Sequence, residues 1–178
     1  MSFTKILAAL DRSPLSQSVF EKALELAQSN QAQLLLFHCL IGDVVTDPLP
    51  FSGELGLSSQ IISQAYQSQQ IYAEQRTQEI QSLLQRCCET AQRCGVATQF
   101  DYRMTDAGQG LCQAARDWGA DLIVMGRRGR KGLTEVLLGS VSNYVLHHAP
   151  CAVLVIQAET PIAPSAPTSD RRLTTVKG

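Results

Sequence analysis

The segment GRRGRKGLTEVLLGSVSNYVLHHAP, residues 126–150, lies between two short apolar runs, 122–125 and 152–156, that have the length of buried β-strands. Gly126 follows the first run directly, and Gly139 precedes a segment whose apolar residues have helical spacing. The segment is therefore a loop that leads from a strand into a helix. Glycines let backbone approach a ligand closely, and the free N–H groups of a first helical turn attract anions. This pattern predicts a phosphate-binding loop.

The glycines of the loop have a particular spacing, Gly126-x2-Gly129-x9-Gly139-Ser140. A tight turn with Ser140 as the helix N-cap would also account for glycine and serine here. The full spacing matches the signature G-x2-G-x9-G-[ST], and the chain thereby resembles the ATP-binding type of the universal stress protein family over residues 3–156. The two apolar runs fall where that family has its fourth and fifth strands.

Strand and helix patterns alternate along the rest of the chain. Apolar or alternating runs predict strands at 3–10, 33–40, 96–103, 122–125 and 152–156. Helical patterns lie between them, beginning at Ser13-Pro14, near residue 59, at Asp106 and at Gly139-Ser140. Five strands joined by four helices predict an α/β fold with a parallel, doubly wound sheet and helices on both faces. The resemblance implies the strand order 3-2-1-4-5, with strands 1 and 4 at the switch point.

Several expectations concern packing. The helix at 59–94 has a glutamine-rich first half, which we expect to project past the core or to pack on a neighbour, with these anchors: Ile61, Ile62, Ala65, Tyr66, Ile71 and Tyr72. Its second half carries a core-facing stripe of Ile80, Leu84, Cys87, Ala91 and Cys94. The alternating run 96–103 is typical of an edge strand. Trp118 is interpreted as a core anchor rather than as a stacking platform for a base.

Asp11 ends the first predicted strand, at the sheet edge where open α/β sheets bind ligands. From the residues alone, it either caps the turn that follows or contacts a ligand. The resemblance favours the second role, because an aspartate at this position contacts the nucleotide in the family. It would meet the ribose or a phosphate-bound Mg²⁺.

The resemblance implies a full set of nucleotide contacts. Phosphates would be held by Gly129, Gly139, Ser140, Val141 and Ser142 through backbone N–H groups and hydroxyls. Gly126 would pass close to the ribose, and the backbone of Cys39 would contact the adenine. The predicted site also includes Ala9, Leu10, Met125, Arg127 and Arg128. Positive charge comes from Arg127, Arg128, Arg130 and Lys131. The alternative is a solvated basic turn, and we expect at most two of the four to touch phosphate.

Other reactive residues favour structural roles. His38 lies within an apolar strand, where a histidine is more often a packed core residue than a ligand or base. Six cysteines show no C-x-x-C spacing and no zinc-type cluster. We therefore interpret them as reduced, partly buried small hydrophobes, with a redox role as the less favoured alternative.

Length and composition predict one domain, 1–157, and a proline-rich, disordered tail, 158–178. The resemblance implies that the domain binds a nucleotide. The net charge of −1 argues against a general nucleic-acid partner. No apolar run reaches the ~18–20 residues of a membrane span, so we expect a cytoplasmic protein without membrane contact. The aperiodic loop at 41–59 is interpreted as a lid over the ligand or as a partner surface.

The chain has a phosphate cradle but no P-loop, kinase or ATP-pyrophosphatase motif. We therefore predict a regulatory protein that binds ATP, ADP, AMP or a related adenine nucleotide, and that has no catalytic residue. The alternatives are slow ATP hydrolysis, a dimeric interaction protein without nucleotide, and a flavin or pyrophosphatase enzyme whose motifs are missing. The apolar fifth strand lacks edge protection, so a homodimer is expected to form through Val153 and Val155.

Overall fold

Strands and helices alternate along the chain in the computed structural model, which describes residues 2–40, 59–127 and 138–157. The strands are β1 (Lys5–Ala9), β2 (Gln33–Cys39), β3 (Thr98–Arg103), β4 (Leu122–Gly126) and β5 (Ala152–Ile156). The helices are α1 (Leu15–Asn30), α2 (Ser59–Arg93), α3 (Ala107–Trp118) and α4 (Ser140–His148). The predicted tail, and the predicted 41–59 loop apart from its last residue, lie outside the described residues.

The five strands form one sheet in the order β3-β2-β1-β4-β5, and every neighbouring pair is parallel. This confirms the predicted fold and strand order. β1 lies at the centre, where Ala8 pairs with Leu36 of β2 on one side and with Val124 of β4 on the other. A central parallel strand is covered on both faces, and this explains the near-continuous apolar runs in the sequence.

Helices cover both faces because successive strand residues point to opposite sides of the sheet. On one face, α1 and α2 pack over alternate strand residues that include Ile6, Leu34, Leu36 and Val124. On the other face, α3 and α4 pack over the intervening residues, Leu7, Leu35, Phe37, Ile123 and Met125. Two apolar cores thus hold the central strands and leave their carboxyl ends at one edge of the sheet.

The helix α2 has 35 residues, about 52 Å at 1.5 Å per residue, and extends well beyond the core. Its buried residues are Ile80, Leu84, Cys88 and Ala91. Cys87 is partly buried against the same core as expected, whereas Cys94, which was expected to face the core, is exposed. None of its described side chains before Ile80 is buried. Ile71 and Tyr72 are 55% and 62% exposed, so they do not anchor to the core of the chain itself, and their packing on a neighbour stays a prediction. The side chains of the other expected anchors, Ile61, Ile62, Ala65 and Tyr66, lie outside the described residues. Among the described helices, none is long and apolar enough to cross a membrane.

Element ends differ from the predicted ones where backbone groups find other partners. Val96 is buried, but its N–H donates to Ala91 O at the end of α2, and β3 therefore starts at Thr98. Gly95 provides the helix stop with φ +81°, and β3 forms a sheet edge as predicted. Trp118 is partly buried against the second core, with Lys5 Nζ 5.3 Å from its ring centroid.

Candidate functional site

The carboxyl ends of β1 and β4 lie side by side and bring two parts of the predicted site together. Ala8 of β1 pairs with Val124 of β4. Asp11 and Arg127 each follow three residues later and leave the sheet at the same edge. The predicted residues at this edge are Ala9, Leu10, Asp11, Met125, Gly126 and Arg127. Arg128 and Gly129 lie outside the described residues.

Asp11 has a defined orientation at this edge. Its Oδ1 accepts hydrogen bonds from Ser13 N at 2.9 Å and from Ser13 Oγ at 2.6 Å. Its own N–H donates to Ser16 Oγ at 3.1 Å. The capping role considered from the sequence is therefore present. Among the described residues no donor reaches Oδ2, so capping leaves one carboxylate oxygen for a ligand.

The start of α4 is tied directly to the end of β4. Arg127 O accepts from Gly139 N at 3.0 Å and from Ser142 Oγ at 2.8 Å. Ser142 Oγ also lies 3.0 Å from Gly139 O, and the residue is 1% exposed. The Ser142 hydroxyl was expected to face a phosphate, but here it contacts main-chain carbonyls. It fixes the helix start against the strand, so a ligand would meet this residue through its N–H.

The N-terminus of α4 has no side-chain cap. Gly139 is the N-cap residue, so the alternative role of Ser140 as N-cap is wrong. The N–H groups of residues 140–142 have no acceptor within the described part of the chain. The N-terminus of α3 differs, because Asp106 there accepts from Gly108 N and Gln109 N at 3.0 and 3.1 Å. The first turn of α4 can therefore bind an anion, whereas α3 already holds a carboxylate.

Neither described glycine of the signature is required by its backbone angles. Gly139 has φ −62° and ψ 156°, which any residue can adopt. Gly126 closes β4, and the described glycines with positive φ are Gly95 and Gly119. What glycine contributes at 126 and 139 is the absence of a side chain. Without a side chain, another group can come close to the backbone.

Cys39 ends β2 at the same edge, and its backbone continues the pairing with β3 opposite Arg103. Its Sγ lies 3.8 Å from Ala107 O and points towards α3. Burial, with a further contribution from Asp106, raises the pKa of the Cys39 thiol to about 12. The thiol is thus a poor nucleophile, and a ligand contact would use the backbone, as the resemblance implies.

The other cysteines also favour structural roles. None of the six forms a disulfide in the structure, and all except the exposed Cys94 are buried or partly buried, as expected. Burial is the main cause that raises the pKa of the thiols of Cys87, Cys88, Cys112 and Cys151.

Charged side chains near the site form a pattern that the sequence did not reveal. Arg12 Nη2 lies 3.6 Å from Glu79 Oε2, and Arg76 Nη1 lies 3.4 Å from the same oxygen. These contacts join the β1–α1 turn to the middle of α2. Arg127 directs its guanidinium to Gln157 Oε1 at 3.4 Å, towards the end of β5. Arg130 and Lys131 lie outside the described residues.

His38 is buried, as expected, but it also holds the end of β1. The residue is 4% exposed, and its Nδ1 lies 2.7 Å from Leu10 O. Leu10 N donates in turn to Phe37 O at 2.9 Å. Leu10 was predicted to contact the nucleotide, but its side chain is buried and its two backbone polar groups bind β2. The register of β1 with β2, which the sequence does not provide, is the signal that would have placed His38 beside Leu10.

A divalent cation would find few protein ligands here. Within the described ranges, no group of three or more His, Cys, Asp or Glu side chains is placed to hold a metal. Asp11 offers one carboxylate oxygen. This donor set fits Mg²⁺ only as an ion carried by phosphates, since Mg²⁺ commonly uses one or two carboxylates together with phosphate oxygens and water.

Comparison with known proteins gives one family. Residues 2–157 match the model described as the universal stress protein family. Universal stress protein Sll1388 of Synechocystis sp. is 41% identical over 160 residues, which cover 88% of this chain and 99% of that protein. The family match at 2–157 includes every strand and helix described above.

Solved structures of other proteins have a similar fold. One is a universal stress protein in complex with cAMP, with TM-score 0.59 and 18% identity over 88% of this chain and 98% of that one. Another is a universal stress protein family protein from Arabidopsis thaliana with AMP bound, with TM-score 0.55 and 22% identity over 94% and 99% of the two chains. At these identities the similarity concerns the fold.

Proposed function

The chain belongs to the universal stress protein family, and on that basis we propose that it binds an adenine nucleotide at the carboxyl edge of β1 and β4. The observation that carries the proposal is the first turn of α4, which has no side-chain cap. Its N-cap residue is Gly139, although the backbone angles there would suit any residue. Two proteins with this fold have been solved with cAMP or AMP, which supports the proposal.

Each described part of the site would have one task. The N–H groups of residues 140–142 would bind phosphate oxygens, because they are partly positive and lack acceptors within the described chain. Asp11 Oδ2 would accept from a ribose hydroxyl or meet a phosphate-bound Mg²⁺. Cys39 would contact the base through its backbone. We propose ATP as the ligand in particular, with Gly129 completing the cradle.

We further propose that the protein is regulatory rather than catalytic. Phosphoryl transfer needs a positioned nucleophile and charge-stabilising groups in addition to a cradle. At the described part of the site, Asp11 already binds Ser13, Ser142 binds main-chain carbonyls, and the Cys39 thiol stays protonated. Ser142 and Cys39 therefore offer no activated nucleophile, and Asp11 alone has an oxygen left for a ligand. Slow hydrolysis of bound ATP is the second candidate, and it would depend on Asp11.

Two measurements test this function. Native mass spectrometry of the purified protein should show a bound adenine nucleotide, and calorimetry should show saturable binding of added ATP. Turnover with Mg²⁺ should lie far below the ~1–1,000 s⁻¹ typical of enzymes. A rate inside that range that disappears in Asp11→Ala would identify Asp11 as a catalytic metal ligand and would replace the regulatory proposal.

We also propose that the chain forms a homodimer through β5. This strand forms one edge of the described sheet, and its sequence, AVLVI, has no charge or proline to protect that edge. Val153 and Val155 are partly buried against the second core. A second copy could pair its own β5 antiparallel with this edge. The double variant Val153→Lys and Val155→Lys should give a monomer or an aggregate, whereas a well-folded dimer in light scattering would place the interface elsewhere.

A further inference from the structure

We infer that His38 is a positioning residue for the proposed nucleotide site, and this inference rests on the proposed function. Its Nδ1 lies 2.7 Å from Leu10 O, and Leu10 is the residue directly before Asp11. A carbonyl oxygen only accepts hydrogen bonds, so the ring must donate. The geometry therefore assigns the proton to Nδ1, whether the ring is neutral or charged.

This hydrogen bond completes a fixed arrangement around Asp11. Leu10 N donates to Phe37 O at 2.9 Å, and Asp11 N donates to Ser16 Oγ at 3.1 Å. Asp11 Oδ1 accepts from both the N–H and the hydroxyl of Ser13. With His38 on Leu10 O, three consecutive backbone polar groups and one carboxylate oxygen are all fixed before any ligand arrives. Asp11 Oδ2 then has a defined direction.

The position of His38 in the sheet explains why it can reach Leu10. Ala9 pairs with Phe37, so His38 and Leu10 are the next residues along two neighbouring parallel strands. His38 lies two residues after Leu36 and on the same face, where the α1–α2 core buries it. A buried ring cannot exchange its bond with Leu10 O for water, so the contact persists while the protein is folded.

Nucleotide affinity should therefore depend on a side chain that does not touch the nucleotide. When the donor is lost, the Leu10–Asp11 segment is free to turn, and Asp11 Oδ2 must be ordered again each time a ligand binds. We expect about a ten-fold rise in the Kd for ATP, which equals about 1.4 kcal/mol. The Asp11 side chain itself remains unchanged.

Three variants separate positioning from packing. In His38→Asn the amide nitrogen is as many bonds from Cα as Nδ1, so it can donate to Leu10 O. In His38→Gln the amide nitrogen corresponds to Nε2 instead, and in His38→Leu there is no donor. Leu84→Ala is the control, because it removes buried volume from the same core without changing a donor to Leu10.

Calorimetry with ATP on the full chain gives the result. We expect wild type, His38→Asn and Leu84→Ala to bind alike, and His38→Gln and His38→Leu to bind about ten-fold more weakly. If His38→Leu does not fold, the contrast between Asn and Gln still decides. If His38→Asn, His38→Gln and wild type bind ATP with equal affinity, the inference is overturned.

A spectroscopic measurement supports the same design. Ring ¹⁵N NMR should show the proton of His38 on Nδ1, and an unprotonated Nδ1 would refute the hydrogen bond. Wild-type protein that binds no adenine nucleotide would overturn the proposed function and this inference together. Tight wild-type binding with unaffected variants would overturn the inference alone.

Discussion

Two glycines of this chain serve different purposes, so that substitution of one should impair nucleotide binding alone and substitution of the other should impair stability alone. Gly139 has backbone angles that any residue can adopt, whereas Gly95 has φ +81°. Gly139→Val should abolish ATP binding and leave the fold nearly unchanged. Gly95→Ala should weaken the fold and leave ATP binding unchanged.

The expected magnitudes follow from the structure. At Gly139, loss of an N-cap glycine costs up to about 1 kcal/mol, and reduced freedom of the unfolded chain offsets about 0.4–1 kcal/mol. The net change in unfolding free energy is near zero. The new side chain would exclude a phosphate from N–H groups that form charge-assisted hydrogen bonds of about 1.5–3 kcal/mol each. Loss of two such bonds weakens binding at least about 100-fold.

At Gly95 an added Cβ meets no atom within 4 Å, so the cost is backbone strain alone. Left-handed angles cost a non-glycine residue about 1–2 kcal/mol, and the same unfolded-state effect offsets part of it. A net loss of about 1 kcal/mol should lower Tm by roughly 2–4 °C for a chain of this size.

Calorimetry with ATP and thermal unfolding of both variants form the assay. Wild-type affinity for ATP in Gly139→Val would show that Gly139 has no role in the close approach of a phosphate. Loss of ATP affinity in Gly95→Ala would contradict the assignment of the site, because the site would then extend to the far end of the sheet.

Two further predictions use titrating groups. At pH 8 iodoacetamide should modify exposed Cys94 well before Cys39, whose pKa is raised to about 12 by burial, and peptide mass spectrometry that finds equal rates would contradict this. Burial raises the pKa of Asp121, but hydrogen bonds from Thr4 and Lys5 outweigh it and lower the pKa below 3.8. Its stabilisation is therefore complete above about pH 5 and lost as the pH falls through 3.8 towards the folded pKa. Denaturant unfolding should show Asp121→Asn less stable than wild type at pH 7, with the gap closing on acidification; a gap that stays constant to pH 2.5 would refute this.

Much of the fold could be predicted because apolar runs, helix patterns and glycine stops agree along the chain. Leu34–Phe37 read as a buried strand from composition alone, since a central parallel strand is apolar on both faces. The exact ends of strands and helices are harder to predict, because they depend on the hydrogen-bond partner of each terminal backbone group. Val96 fits a strand pattern, yet its N–H binds the end of α2. Ile71 and Tyr72 show the same limit, because their exposure depends on where the core stops.

The candidate site was predictable in part. The positions of Asp11 and Gly139 follow from strand ends and glycine spacing, and the structure places both at one edge of the sheet. The hydrogen bonds that orient them were not predictable. The contact of His38 with Leu10 requires the strand register, and the contact of Ser142 with Arg127 O requires the angle at which α4 leaves the loop. Residue spacing in the sequence predicts neither the strand register nor this angle.

Binding of an adenine nucleotide at the carboxyl ends of β1 and β4 is the property on which the proposed function depends. Titration calorimetry of the wild-type protein with ATP and AMP, after removal of any ligand that survives purification, tests it most directly. We expect saturable binding of ATP at one site per chain, and loss of that binding in Gly139→Val. At about 1 mM nucleotide, even a binding free energy of roughly −4 kcal/mol is detected. If the wild type shows no binding at that concentration, the proposed function is contradicted.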